Sequence, residues 1–228
     1  MIESKTDLPL TKINVLDHGF VVLKDYMGND LTTVNAARIS FNKQKQVFDE
    51  KDEELVKYLA EHEHTAPFRH AYMTFHVKAP LFVFRQWMKH RIASDFNELS
   101  GRYVNLEEQD FYVPEIFRQQ HKDNKQGSEG QIANQAFAHM TYVKSCKDAL
   151  IQYSSLLDAG VCKEQARCVL PQAMYSEVYW TCSLQAVSHF LDLRLDSHAQ
   201  WEIQQYAKAV ESIVEMLYPI SLKALRKS

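Results

Sequence analysis

The segment from Phe68 to Lys78 constrains this chain most, because its residues alternate in character. Ala71, Met73, Phe75 and Val77 fall on one face, and His70, Tyr72, Thr74 and His76 fall on the other. A period of two puts successive side chains on opposite sides of a strand, so one face is buried and the other carries polar groups. Pro80 follows where a fixed φ suits the first turn of a helix, and the spacing predicts a helix from Leu81 to His90. A loop rich in Ser, Asn and Gly and a strand-like stretch at Arg102 to Asn105 come next.

The flanking segments show mixed periodicities. Ile13 to Lys24 reads as two short strands around a turn at Asp17, His18 and Gly19. Asn29 or Asp30 caps a helix through about Arg38, and Asp52 to His62 carries Leu55, Tyr58 and Leu59 at helical spacing. Gln119 to Gly130 is polar and reads as a mobile loop. A long helix is predicted from about Ile132 to Leu157, ended by Ala159 and Gly160, with a short helical piece from Cys162 to Val169 stopped before Pro171. Tyr175 to Cys182 holds β-formers, Gln185 to Leu193 reads as helix, and Ser197 with Gln200 suggests a capping box for a helix to about Leu217. Strands and helices do not alternate regularly, and neither a Gly-x-Gly-x-x-Gly nor a P-loop occurs. The class is α+β in a single domain covering residues 1–228.

Bulk properties narrow the partners. A formal charge of -3 gives no global attraction to nucleic acid, so an anion site must be a local cluster of Lys and Arg. The first ten residues lack a signal-peptide pattern, and apolar runs such as Ala79 to Phe84 are too short to cross a bilayer; a cytoplasmic protein is expected, with neither nucleic acid nor membrane as partner. Cys146, Cys162, Cys168 and Cys182 form no Cys-x-x-Cys pair and read as buried free thiols. His62-x-His64 has no Cys or acidic partner at ligand spacing, so no metal site is expected.

Chemistry concentrates between Arg85 and Tyr103. Arg85, Lys89 and Arg91 crowd a helix end, where like charges about 6 Å apart repel by roughly 1–3 kcal/mol at an effective dielectric near 20. An anion would relieve that repulsion, although cations at a helix C-terminus are also favoured by the macrodipole alone. Ser94, Asn97, Glu98, Ser100 and Arg102 then supply short donors and acceptors suited to a ribose, a uracil edge and a phosphate. Trp87 and Tyr103 lie close enough to stack on a ring, while Tyr175, Tyr179 and Trp180 read as core. Arg167 and Arg194, taken alone, read as ion pairs with Glu164 and with Asp192 or Asp196. No cysteine stands in a nucleophile motif, and Ser100 has no adjacent base.

The run from Lys89 to Tyr103 resembles the signature of the flavin-dependent thymidylate synthases, Arg-His-Arg-x-x-Ser-x-Asn-Glu-x-Ser-x-Arg-Tyr. Lys89 stands at the first Arg position, and one extra residue, Asp95 or Phe96, is expected to bulge the loop. Likeness extends from Leu16-Asp17-His18-Gly19-Phe20 to Ser197-His198-Ala199-Gln200-Trp201-Glu202-Ile203. The resemblance implies dUMP as substrate, FAD as cofactor, NADPH and 5,10-methylenetetrahydrofolate as co-substrates, and a homotetramer with shared active sites. It implies that Gln86, Lys89, Glu98, Leu99, Ser100, Gly101, Arg102, Arg167 and Arg194 bind dUMP, with Arg194 catalytic against the uracil. For FAD it implies Ser40, His64, Ala66, Lys89, His90, Arg91, Asn97, Glu98, Ser183, Gln185 and His189. Ala66, Ser183 and Gln185 are less polar than the family's usual residues there, which leaves a nucleotide-binding protein without catalysis as the rival reading. A protein-interaction module explains the motif least well.

Overall fold

The computed structural model describes residues 12–226, so the reading of the first ten residues lies outside it. The chain runs β1 (Lys12–Val15), β2 (Gly19–Met27), α1 (Asp30–Arg38), α2 (Glu50–Glu61), β3 (Tyr72–Pro80), α3 (Leu81–Trp87) and β4 (Ser94–Glu98). It continues through β5 (Gln119–Gln120), β6 (Ser128–Glu129), α4 (Gln135–Asp158), α5 (Lys163–Ala166), β7 (Tyr175–Ser183), α6 (Leu184–Arg194), α7 (Trp201–Leu217) and α8 (Pro219–Leu225). Five strands form one antiparallel sheet in the order β1-β2-β3-β7-β4, and the class is α+β.

The alternation in β3 does what its sequence demands. Met73, Phe75, Val77 and Ala79 are buried, while Tyr72, Thr74, His76 and Lys78 lie on the half-exposed side. The buried side continues across the register through Phe75 opposite Trp180 and Phe96 opposite Trp180. Helices α6, α7 and α8 contribute Leu184, Phe190, Ile203, Tyr206, Val210 and Leu222 to the same core. Trp87 sits at its centre, stacked on Phe190 with ring centroids 4.7 Å apart and edge-on to Trp180 at 5.1 Å. Trp87 is therefore a core residue, and its ring cannot meet a ligand without dismantling that packing. A Cβ at Gly19 would meet Tyr206 Oη at 2.0 Å and two carbonyl oxygens within 2.8 Å, which is why only glycine opens β2.

Several expectations need correction. Residues Ala66–His70 form a 3₁₀ turn with Pro67 in its first positions, so the strand begins at Tyr72. Helix α3 stops at Trp87, and Lys89, His90 and Arg91 lie in the turn beyond it, closed by His90 N donating to the Trp87 carbonyl at 3.0 Å. The strand expected at Arg102 to Asn105 is a turn in which Tyr103 N and Val104 N donate to the Ser100 carbonyl. Ser94–Glu98 is the strand instead. No capping box forms before α7: Gln200 is itself the cap, and its amide is committed to Gln86 and Glu202. Gln119 to Gly130 is a small hairpin whose turn is closed by Gln120 Nε2 donating to the Asn124, Lys125 and Gly127 carbonyls. Helix α8 was not anticipated; the backbone N–H groups of Ile220 and Ser221 at its start donate to Asp30. All four cysteines are free, but Cys162 and Cys168 are exposed rather than buried.

Candidate active site

The turn between α3 and β4 places the cationic residues at one end of β4. Ala93 holds a left-handed backbone, φ 49°, and its carbonyl accepts from Ser183 N at 3.0 Å. Ser94 Oγ accepts from Trp180 Nε1 at 2.6 Å, tying the turn to the core. Lys89, His90, Arg91, Gln185, His189 and Arg194 then line a cavity of ≈ 360 Å³. Arg194, the last residue of α6, donates from Nε to His90 Nε2 at 3.0 Å and from Nη2 to the Gln86 carbonyl at 3.1 Å. Neither expected ion pair exists, because Asp192 is taken by Arg226 and Asp196 by His198. Burial lowers the pKa of Arg194. This cation is partly desolvated and held by neutral acceptors, so a developing anion in the cavity would meet a preoriented charge. Burial, then the Arg194 charge and His189, push the His90 pKa down from 6.5 to about 4. His90 is 8% exposed and accepts from Arg194 through Nε2, so the neutral ring carries its proton on Nδ1.

The other half of the motif lies at the opposite end of β4. Strand β4 pairs with β7 in unbroken register from Ser94 opposite Cys182 to Glu98 opposite Val178. The extra residue does not bulge the segment: Phe96 turns inward over Trp180, with rings 6.2 Å apart, and Asp95 and Asn97 turn out. Beyond it, Glu98, Leu99, Ser100, Gly101, Arg167 and Cys168 line a second cavity of ≈ 350 Å³. Glu98 accepts from Ser176 Oγ at 2.9 Å. A Cβ at Gly101 would sit 2.6 Å from Leu106 Cδ1 and 3.3 Å from Arg167 Cδ, so glycine lets the Arg167 stem lie along this loop. Arg167 makes no ion pair with Glu164 among the described residues, because Glu164 faces the exposed Arg102 at 3.3 Å. Cys168 Sγ donates to the Glu164 carbonyl at 3.6 Å, with no base beside it.

The expected flavin residues are only partly gathered. Gln185 and His189 share the cavity of Lys89, His90 and Arg91, whereas Asn97 faces a separate hollow with His76, Glu177 and Tyr179. Ser40, His64 and Ala66 are exposed on the loops after α1 and α2. Ser183 is fully buried and accepts from Ala186 N at 3.2 Å as the cap of α6, so its hydroxyl serves the helix. Sequence reading missed Arg69, which donates from Nε to Gln185 Oε1 at 2.5 Å and from Nη2 to Thr65 Oγ1 at 2.9 Å. The motif gave no signal for Arg69, since its partner lies far along the chain. A further cavity, ≈ 540 Å³, lies elsewhere, between Leu16, Tyr112, Ile116 and Trp201. Two of its charged groups are bonded: Asp17 accepts from Tyr175 Oη and Val113 N, and Arg118 holds Glu202. The two cavities flanking β4 hold the cations of the expected site, Lys89, Arg91 and Arg194 in one and Arg167 in the other.

The sheet-and-helix scaffold thus holds two cation-bearing cavities at opposite ends of β4, each of a size to take part of a small anionic ligand. The family model described as thymidylate synthase complementing protein matches residues 22–220. A flavin-dependent thymidylate synthase of Thermus thermophilus is 48% identical over 220 residues, covering 96% of this chain and 79% of that protein. One of Thermotoga neapolitana is 47% identical over 216 residues, covering 95% and 94%. Among solved structures, a UMP/dUMP methylase PolB from Streptomyces cacaoi bound with 5-Br dUMP superposes with a TM-score of 0.82 at 34% identity, covering 93% of this chain and 96% of that one. The chain belongs to the flavin-dependent thymidylate synthase family.

Proposed function

We propose that this protein methylates dUMP reductively to dTMP, with FAD as bound cofactor, NADPH as reductant and 5,10-methylenetetrahydrofolate as carbon donor. The observation that carries the proposal is Arg194, a partly desolvated guanidinium anchored to His90 and the Gln86 carbonyl with no carboxylate partner. Such a group stabilises negative charge gathering on the uracil, which raises electron density at C5 for attack on the methylene carbon. Lys89, Arg91, His90, Gln185 and His189 fit a flavin dinucleotide: their cavity joins unpaired cations for a diphosphate to apolar walls at Ile92, Ala186 and Leu193 for a ring. Reduced flavin would supply the hydride when bound, and the chain's own residues would position and polarise the pyrimidine. No thiol adduct to the pyrimidine is required, which accords with the absence of a base beside Cys168.

Glu98, Leu99, Ser100, Gly101, Arg102 and Arg167 complete dUMP binding from a second protomer. Strand β4 separates them from Arg194 by five residues of about 3.3 Å each, more than one nucleotide spans within a single chain. Exposed apolar residues lie in this region, Ile92 at 86% in the Arg194 cavity and Tyr103 at 78% two residues beyond Gly101, and covering them suits a homotetramer with shared sites.

The test is the visible spectrum of the purified protein after FAD addition and desalting, then under anaerobic NADPH with and without dUMP. A retained flavin that bleaches with NADPH at a rate altered by dUMP is expected. A protein that binds dUMP but never retains flavin would be a non-catalytic nucleotide binder.

A further inference from the structure

We propose that Gln200 and Glu202 are positioning residues for the nucleotide site, acting through Gln86; the inference rests on the dUMP reading above. Glu202 is a charged side chain only 3% exposed. Its Oε1 accepts from Arg118 Nη2 at 2.8 Å and from Tyr112 Oη at 3.3 Å, and its Oε2 accepts from Gln200 Nε2 at 2.9 Å. A carboxylate paired with a guanidinium accepts only, so the Gln200 NH₂ must face it. That leaves Gln200 Oε1 pointing outward, where it accepts from Gln86 Nε2 at 2.7 Å. The buried charge thus sets the direction of both amides and pins the Gln86 side chain in one orientation.

Gln86 is where this relay meets the catalytic arginine, because its backbone carbonyl is the acceptor for Arg194 Nη2. A purely structural role for Glu202 accounts for Tyr112 and for Arg118, which also donates to Ser128 Oγ at 2.9 Å and so holds the β5–β6 hairpin. It also accounts for Gln200 Nε2, which satisfies the second carboxylate oxygen, but not for the further bond from Gln86 Nε2 to Gln200 Oε1, made between two amides within reach of water. Side-chain amides at a surface ordinarily gain as much from solvent; here the bond holds the side chain of the residue whose carbonyl anchors Arg194, which places the relay beside the nucleotide site.

The test is a double-mutant cycle on the full-length protein, reading the dUMP dissociation constant by calorimetry for the wild type, Gln200→Ala, Gln86→Ala and the pair. Gln200 is exposed, so its truncation removes no apolar packing, and Glu202 keeps its bonds to Arg118 and Tyr112. Gln200→Ala is expected to weaken dUMP binding about three- to tenfold, the worth of one hydrogen bond, and to add nothing once Gln86 is already Ala. FAD retention should stay unchanged in all four. Glu202→Gln, which keeps the shape but lets the amides reverse, should show the same dependence on Gln86. Equal losses with and without the Gln86 side chain, or no loss on Gln200→Ala, would overturn the positioning role while leaving the dUMP reading standing. Failure of the wild type to bind dUMP at all would overturn both.

Discussion

At His90 the ring nitrogen Nε2 receives a hydrogen bond from Arg194 Nε at 3.0 Å, an arrangement open only to the neutral imidazole. Protonation would remove that acceptor and set a second positive charge against the guanidinium. The folded-state pKa lies near 4, below the ordinary 6.5, so between these values the unfolded chain binds more protons than the native one. Stability should therefore fall as pH drops from about 6.5 to about 4 and level off below, by no more than about 3 kcal/mol. Urea midpoints of the wild type and His90→Asn, measured from pH 7 to pH 4, check this. The variant should lose the slope in that window, and parallel profiles for the two proteins would show that His90 is not the titrating group. Arg194 is tied to the same event. In the native protein the ring takes its proton only near pH 4, so the Arg194–His90 bond should hold through the window in which stability falls and break only at its acid end.

The turn from α3 into β4 is the element on which the site depends, and its tightest point is Ala93. A left-handed conformation at a residue with a Cβ costs about 1–2 kcal/mol, and here φ is 49°. The surroundings enforce it: Ala93 O accepts from Ser183 N on one side, and Ser94 is locked to Trp180 on the other. Ala93→Gly should therefore leave the melting temperature unchanged or raise it, whereas Ala93→Val should lower it by several degrees. Thermal unfolding of both variants decides the matter, and a marked loss for Ala93→Gly would mean that the methyl group's packing outweighs the strain. Sequence alone showed the alternating strand and the polar run from Ser94 to Arg102, because period-two patterning and side-chain chemistry are local properties. It missed the end of α3 at Trp87, the strand at Ser94–Glu98 and the start of α7, because these are settled by tertiary partners: Trp180 for Ser94, β7 for Phe96, Gln86 and Glu202 for Gln200. The same reason hid Arg69 and the role of Ser183 as the cap of α6.

At the scale of the whole molecule, the two halves of the expected dUMP site point away from each other along one strand. Arg194 lines the cavity at the Ser94 end of β4, and Arg167 lines the cavity at the Glu98 end. A single protomer would have to bend its central sheet to bring them together, and that sheet is locked by a core running through Phe75, Trp180, Trp87 and Phe190. Joining the ends of two copies would need no such change, and it would cover Ile92, an exposed apolar residue that lines the Arg194 cavity. Subunit complementation follows from this geometry. Arg194→Ala and Arg167→Ala should each be nearly inactive as homogeneous assemblies, since each removes a charge from every site. Co-expressed in equal amounts, they form mixed assemblies in which about a quarter of sites draw an intact Arg194 from one chain and an intact Arg167 from the other. Turnover in the mixture should recover towards that fraction of the wild-type rate. A mixture as inactive as its two parents, with subunit exchange verified by mass, would place both arginines in a site built by one chain and would require the sheet to deform when the nucleotide binds.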